Sequence, residues 1–334
     1  MADPKYVLCR PVSGLNGTLN QIALCRDYAI KYGRILLVDG RYSGVLGDFF
    51  RREGDGQVLK TTDEGFPDID MLDCLPKAVQ GRVSSIRSKA SQVPGQKLAV
   101  DVESEVPLTF PFDRDHPETL LLHQQWGGGR RSFDMIGRLT ILPWLAMRVR
   151  NFIARLPHGY ITLHVRNTDY KTDVPMALDA IRAKVAGQNL LLCSDDVGVH
   201  TAVVAGLPDT RVHIITAPAY DDGKPQHVKA RFAGMAVRRQ VATGSIVDLC
   251  ALAMATTLYV PVLHSWVYGD PNAVFTGVNR LSGFGMLASY LCEDKDRLRR
   301  LLGDPGPGLR PRLKTGKVDL IEAPPLPSTG SPSA

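Results

Sequence analysis

Three polar runs stand where apolar stretches end. His164-Val165-Arg166-Asn167-Thr168-Asp169 closes YITLHV, Ser194-Asp195-Asp196 closes LLLC, and Ser265-Trp266 comes just after LYVPVL. In open α/β sheets the carboxyl edge of the strands faces the ligand crevice. An arginine there can grip a diphosphate with a bidentate fork that lysine does not match. Strand alternation places His164 and Arg166 on one side, where His164 can donate to a base or a ribose. Arg166 and Asp169 could instead pair structurally as the strand exits. Two polar residues among Ile161, Leu163 and Val165 need partners in either case. Asp195 and Asp196 could accept from ribose hydroxyls or a guanine, and one of them is suited to cap the next helix. Metal binding by the pair would need further oxygen ligands, which the sequence does not identify.

Two more groups belong with these. Asp248 lies near the start of an apolar helical stretch that opens at Ser245, and Ser265 could meet a phosphate together with backbone N–H groups. Asp248 could equally complement the helix N-terminus, and Trp266 could be core. Ser13-Gly14-Leu15-Asn16-Gly17 reads as a Gly-rich turn between a strand and a helix, which would bring backbone N–H groups near an anion. The alternative is a tight strand-to-helix turn with Asn16 capping. Trp126-Gly127-Gly128-Gly129-Arg130-Arg131 reads as a flexible basic loop, where Trp126 could stack on a glycan and Arg130 could meet an anion, or equally as an ordinary surface loop. G-x-S-x-G, HExxH, CxxC and P-loop patterns are all missing from the sequence, which removes the usual hydrolase, zinc and NTPase signatures.

The elements that must position these groups alternate strand, turn and helix, which reads as α/β with parallel strands. Tyr6 to Cys9 and Ile35 to Val38 are strands flanking a helix expected over 20–32. Residues 51–118 read as loops with short elements. Residues 133–156 read as one long amphipathic helix broken or kinked at Pro143. From Tyr160 a second alternation follows, wound in the Rossmann manner. At roughly 150 residues per domain, 334 residues allow about two domains. The expected division is 1–150, 151–303 and a Pro/Gly/Ser-rich tail over 304–334, which is expected to be disordered.

The formal net charge is +6, but its arginine pairs are short and scattered. A nucleic-acid binder concentrates such residues with aromatics in one patch, so no nucleic-acid partner is expected. A mildly basic chain also suits a phosphate-bearing small substrate. Six cysteines without a paired spacing suit a reducing, cytoplasmic setting. No apolar run is long enough to span a bilayer, so at most peripheral membrane contact is expected.

Taken in order, these pieces resemble the inverting fucosyltransferase superfamily, which includes bacterial fucosyltransferases and protein O-fucosyltransferases. HVRNTDY resembles the donor motif H-x-R-R-[GT]-D. LLLCSDD and SIVDLCALAMATTLYVPVLHSWVYG look like the second and third motifs, and GLNGTLNQIALCRDYAIKYGRILLVD looks like the N-terminal G-x-x-N-Q segment. The resemblance covers roughly residues 5–40 and 158–270. It implies a GT-B-like fold, two Rossmann-like domains facing a central cleft. It implies transfer of L-fucose or a related sugar from a GDP-sugar to a hydroxyl of a glycan or glycoconjugate.

By that resemblance Arg166 holds the donor pyrophosphate, His164 and Asp248 contact guanine, Ser265 contacts a phosphate, and Asp195 or Asp196 completes the donor site. Asn16 and Gly17 line the cleft from the other half. No metal or other cofactor is implied, because arginine and backbone amides neutralise the departing diphosphate. Asp169 and Asp173, just past Arg166, are the candidates for a general base. The sequence departs from the motif at Asn167, where the family has a second arginine, and the third motif keeps one serine rather than two. Those departures leave two other readings in play: a transferase for another nucleotide sugar, and a non-catalytic glycan- or nucleotide-binding relative.

Overall fold

The architecture is that of a computed structural model, which describes residues 3–39, 49–52, 58–60, 66–91, 98–216, 218, 234–266, 280–303, 313 and 316–322. The first sheet takes β1 (Tyr6–Cys9), β2 (Ile35–Val38), β3 (Val58–Lys60), β4 (Cys74–Leu75) and β5 (Leu120–His123) in the order β3-β2-β1-β5-β4. The second takes β6 (Ile161–Val165), β7 (Asn189–Ser194), β8 (Arg211–Ile214), β9 (Thr257–Pro261) and β10 (Lys317–Ile321) in the order β8-β7-β6-β9-β10. Every pairing in both sheets is parallel. Each sheet thus has a central strand, β1 or β6, that is buried along its whole length. Strands covered on both faces need unbroken apolar runs, which YVLC and ITLHV supply apart from Thr162 and His164.

Helix α1 runs from Leu15 to Lys31, five residues earlier than the sequence suggests. Its first turn is already formed at Gly14, whose carbonyl accepts from the Thr18 amide at 2.9 Å. Asn16 and Gly17 therefore lie inside the helix and not in a turn before it. The expected long helix over 133–156 is two helices, α2 (Arg131–Ile136) and α3 (Pro143–Ile153), separated by the strand Leu139–Ile141. Pro143 is the first residue of α3. There the missing N–H costs nothing and the fixed φ suits the helix start.

The second half adds α4 (Val174–Val185), α5 (Val197–Gly206), α6 (Met235–Met254), α7 (Gly283–Glu293) and α8 (Lys295–Leu302). A continuous apolar core joins Leu19 and Ile22 of α1 to Leu252 of α6 and Leu287 and Leu291 of α7. The Tyr160 hydroxyl donates to the Ala251 carbonyl at 2.7 Å, closing α6 onto the start of β6.

The expected disordered tail needs correction within the described residues. Lys317–Ile321 is strand β10, in register with Thr257–Pro261. Ile321 at its end is buried, and Asp319 is tied to Lys184 at 3.2 Å. The rest of the tail lies outside the described residues, except Leu313, Gly316 and Glu322. All six cysteines are free and buried. Among the described residues no helix is long and apolar enough to cross a membrane, and no group of His, Cys, Asp and Glu could hold a metal ion.

Candidate active site

The C-terminal ends of β6 and β7 lie side by side, because His164 pairs with Cys193 and Val165 with Ser194. The two polar runs named from the sequence are thereby brought into contact. The Arg166 guanidinium donates from Nε to Asp169 Oδ1 at 2.8 Å, and its Nη1 lies 2.6 Å from Asp195 Oδ2. Its side chain is 17% exposed and the two carboxylates 16% and 12%, so the cluster is largely withdrawn from water yet open at one side. Asp195 also accepts from the Asn167 amide at 3.0 Å and from the Thr168 hydroxyl. A buried cation with two anions leaves this part of the crevice at a local charge of about −1, so a diphosphate arriving there needs cations and donors beyond Arg166 itself.

Asp196 is the helix cap that the sequence reading assigned to one of the pair. It accepts from the Gly198 amide at 2.8 Å at the start of α5 and from Asn167 Nδ2 at 2.7 Å. Asp173 caps α4, accepting from the Met176 amide at 3.0 Å, and its side chain is exposed.

His164 sits within β6 and is 7% exposed. Burial pushes its pKa down to about 4, helped by nearby Arg166 and opposed by Asp195, so the ring is neutral at neutral pH. Its Nε2 meets Ser282 Oγ at 3.0 Å, and the same Oγ accepts from the Gly285 amide at 2.9 Å as the N-cap of α7. Ser282 was not singled out in the sequence, although a serine before GFGMLASYL is an N-cap signal.

Asp248 is largely buried on α6 among Cys193 and Thr216. Burial raises its carboxyl to about 7, against the hydrogen bond from Thr216, which favours the charged form. Thr216 Oγ1 donates to Oδ2 at 2.5 Å, and Oδ1 has no hydrogen-bond partner. The alternative of a solvated charge at a helix start is not met, because Asp248 lies fourteen residues into α6 (Met235 to Asp248, inclusive). The Ser265–Trp266 backbone pairs antiparallel with Tyr170–Lys171, Ser265 opposite Lys171, which draws the third motif back beside the Arg166 turn.

From the other half comes Asn16, but not as a free ligand-binding group. Its Nδ2 donates to Ser132 Oγ at 2.7 Å and its Oδ1 accepts from the Gly129 amide at 3.0 Å, leaving 5% of the residue exposed. Gly17 is buried with Ser13 and Gly127 against it; a Cβ there would lie 2.3 Å from the Ser13 Cβ. The Trp126–Arg131 segment, expected to be a flexible loop, is pinned. Gly127 has φ +115° and its amide donates to Ser13 Oγ at 3.2 Å. Its carbonyl accepts from Gln21 Nε2 at 2.7 Å, and Gln21 Oε1 meets His123 Nε2 at 2.6 Å. A Cβ on Gly128 would come within 1.8 Å of Asn16 Oδ1. Trp126 is half-buried against the first sheet's outer core, while Arg130 is exposed. Asn16 also reaches Gly283 at the start of α7, where a Cβ would lie 2.9 Å from Oδ1. The chain of contacts runs from His123 through Gln21, the glycine segment and Asn16 to α7, Ser282 and His164.

These features define a two-sheet α/β molecule of the GT-B type, with its polar residues gathered at the strand ends of the second sheet. The same fold is found in the solved structures of the fucosyltransferase NodZ from Bradyrhizobium. One of these shares 17% identity and a TM-score of 0.55, covering 87% of this chain and 95% of that one. Structures titled as NodZ alpha-1,6-fucosyltransferase co-crystallised with GDP and soaked with GDP-fucose match at a TM-score of 0.53 and 17% identity, each covering 87% of this chain and 94% of that one. No family model and no curated protein matches the chain.

Proposed function

We propose that the chain is an inverting glycosyltransferase that moves L-fucose or a related sugar from a GDP-sugar to a hydroxyl of a glycan or glycoconjugate. The observation that carries this reading is Arg166, fixed by Asp169 and Asp195 at the end of the central strand β6, in a fold shared with an enzyme solved with GDP and GDP-fucose. Residues 1–150 would present the acceptor, with Trp126 and Arg130 at its edge, and residues 151–303 would hold the donor. The setting is cytoplasmic on this reading, since the six cysteines are free.

The acceptor hydroxyl attacks the anomeric carbon opposite the departing GDP, through an oxocarbenium-like transition state. Negative charge grows on the diphosphate as the bond breaks. A guanidinium already held in place stabilises that charge without reorganising, which is the role given to Arg166. Asp248, with one oxygen unpartnered, is the acceptor for the guanine N–H edge, and His164 completes the base side through Ser282. The general base is assigned to Asp173: Asp169 is ion-paired to Arg166 and accepts from the Tyr170 amide at 3.1 Å, whereas Asp173 is exposed and accepts from the Met176 amide as a helix cap. No metal is needed on this reading. Asn16 and Gly17 act by holding the glycine segment and α7 rather than by touching the donor with their side chains.

The test is calorimetric titration of GDP, GDP-fucose, GDP-mannose and UDP into the protein and into Arg166→Ala. GDP is expected to bind at least tenfold more tightly than UDP, about 1.4 kcal/mol, and to lose that affinity in the variant. Preference for GDP-mannose or UDP would shift the reading to another nucleotide sugar. Absence of binding by the folded protein would sink it.

A further inference from the structure

We infer that Lys171 is the second cation of the donor site, supplying the charge that Asn167 omits. This rests on the GDP-sugar reading above. The turn that follows Arg166 is closed on itself: Thr172 Oγ1 donates to the Arg166 carbonyl at 2.7 Å and Lys171 Nζ to the Asn167 carbonyl at 2.6 Å. The ammonium is thereby folded back over the residue where the motif carries its second arginine. The Asn167 side chain is itself engaged within the turn, its Nδ2 donating to Asp196 at 2.7 Å and its Oδ1 accepting from the Thr172 amide at 3.5 Å, and it brings no charge.

Charge makes the placement consequential. Arg166 is neutralised twice over, by Asp169 and Asp195. Lys171 has no carboxylate within ion-pair reach among the described residues. It is half-buried, so its charge acts through less water than a surface lysine's would. The register then sets it opposite Ser265, the residue to which the resemblance gives a phosphate contact, and the His264 amide donates to the Lys171 carbonyl at 2.7 Å, fixing the backbone there. A compact ammonium with three donors can hold the carbonyl with one and offer the others to a phosphate oxygen. The ligand class is a nucleoside diphosphate, and the group contacted is its diphosphate rather than its base.

A loop staple would use the same hydrogen bond, so the variants must separate charge from bonding. Lys171→Gln keeps a donor for the Asn167 carbonyl and removes the charge; Lys171→Met removes both. GDP and guanosine are titrated into each, with circular dichroism confirming the fold. GDP affinity is expected to fall about tenfold to a hundredfold in both variants, as for the loss of one charge-assisted hydrogen bond, while guanosine binds as before. Asn167→Arg added to Lys171→Gln is expected to restore most of the GDP affinity. Unchanged GDP binding in Lys171→Gln, an equal loss for guanosine, or no restoration by Asn167→Arg overturns the inference while leaving the donor reading in place. A wild-type protein that binds no GDP overturns the donor reading and this inference with it.

Discussion

Asp248→Asn isolates the energetic consequence of burying an acid beside a thiol and a hydroxyl. The native carboxyl is raised from 3.8 to about 7, chiefly by burial. The folded chain therefore holds this proton more tightly than the unfolded one. Its contribution to stability is fully present below pH 3.8 and is lost as pH rises through 7. A carboxyl raised that far contributes on the order of 4 kcal/mol across the whole range, most of it lost between pH 5 and pH 8. Asparagine does not titrate, and its amide oxygen can still accept from Thr216. Urea unfolding of both proteins at pH 5 and pH 8 is expected to show the wild type losing about 2–3 kcal/mol more than the variant over that interval. Curves that stay parallel within about 0.5 kcal/mol would refute the buried-acid argument. On the donor reading the ionised form is the one that accepts from guanine. GDP binding by the wild type, measured relative to the variant, should then weaken toward about tenfold per pH unit below 7.

Gly128→Ala places a methyl group where Asn16 Oδ1 already lies, forcing the glycine segment away from α1. A loss of about 1–3 kcal/mol in chemical denaturation is expected, whereas Gly137→Ala, whose new Cβ meets nothing closer than 3.4 Å, serves as the tolerated control. Asp173→Asn preserves the cap on α4, since Asn caps as well as Asp, but cannot take a proton. Stability within about 0.5 kcal/mol of wild type together with a loss of turnover of a hundredfold or more marks the base, in line with general-base contributions. Full turnover in this variant would leave Asp173 as a cap alone.

The strand ends were legible because each closes a dense apolar run, and a polar residue there must be satisfied by something. That reasoning sets His164, Arg166 and Asp195 at one edge of the sheet and gives one of Asp195 and Asp196 a helix to cap, as Asp196 does. The start of α1 was not legible, because Gly14 and Gly17 read as turn residues. Gly17 lies inside the helix, where Ser13 comes too close to leave room for a side chain. The break at Pro143 was recognised, but the strand Leu139–Ile141 before it was hidden by the helical spacing of its flanks. Partners more than a hundred residues away left no local trace: Asn16 with Ser132, Gln21 with His123 and His164 with Ser282. The freedom assigned to the Trp126–Arg131 segment came from its glycines. In the structure those same glycines let it lie flush against α1.

Strand β10 bears on any attempt to shorten the protein. The Pro/Gly-rich composition from residue 304 invites truncation at that point, as a harmless trimming. Such a chain would lose the strand paired to Thr257–Pro261, and with it the Lys184–Asp319 and Arg280–Glu322 ion pairs. The amides and carbonyls of β9 would become an open, apolar sheet edge of the kind that recruits other chains. Low solubility of a trimmed protein would then report a missing strand in the sheet that carries Arg166, not a defect of the nucleotide site itself.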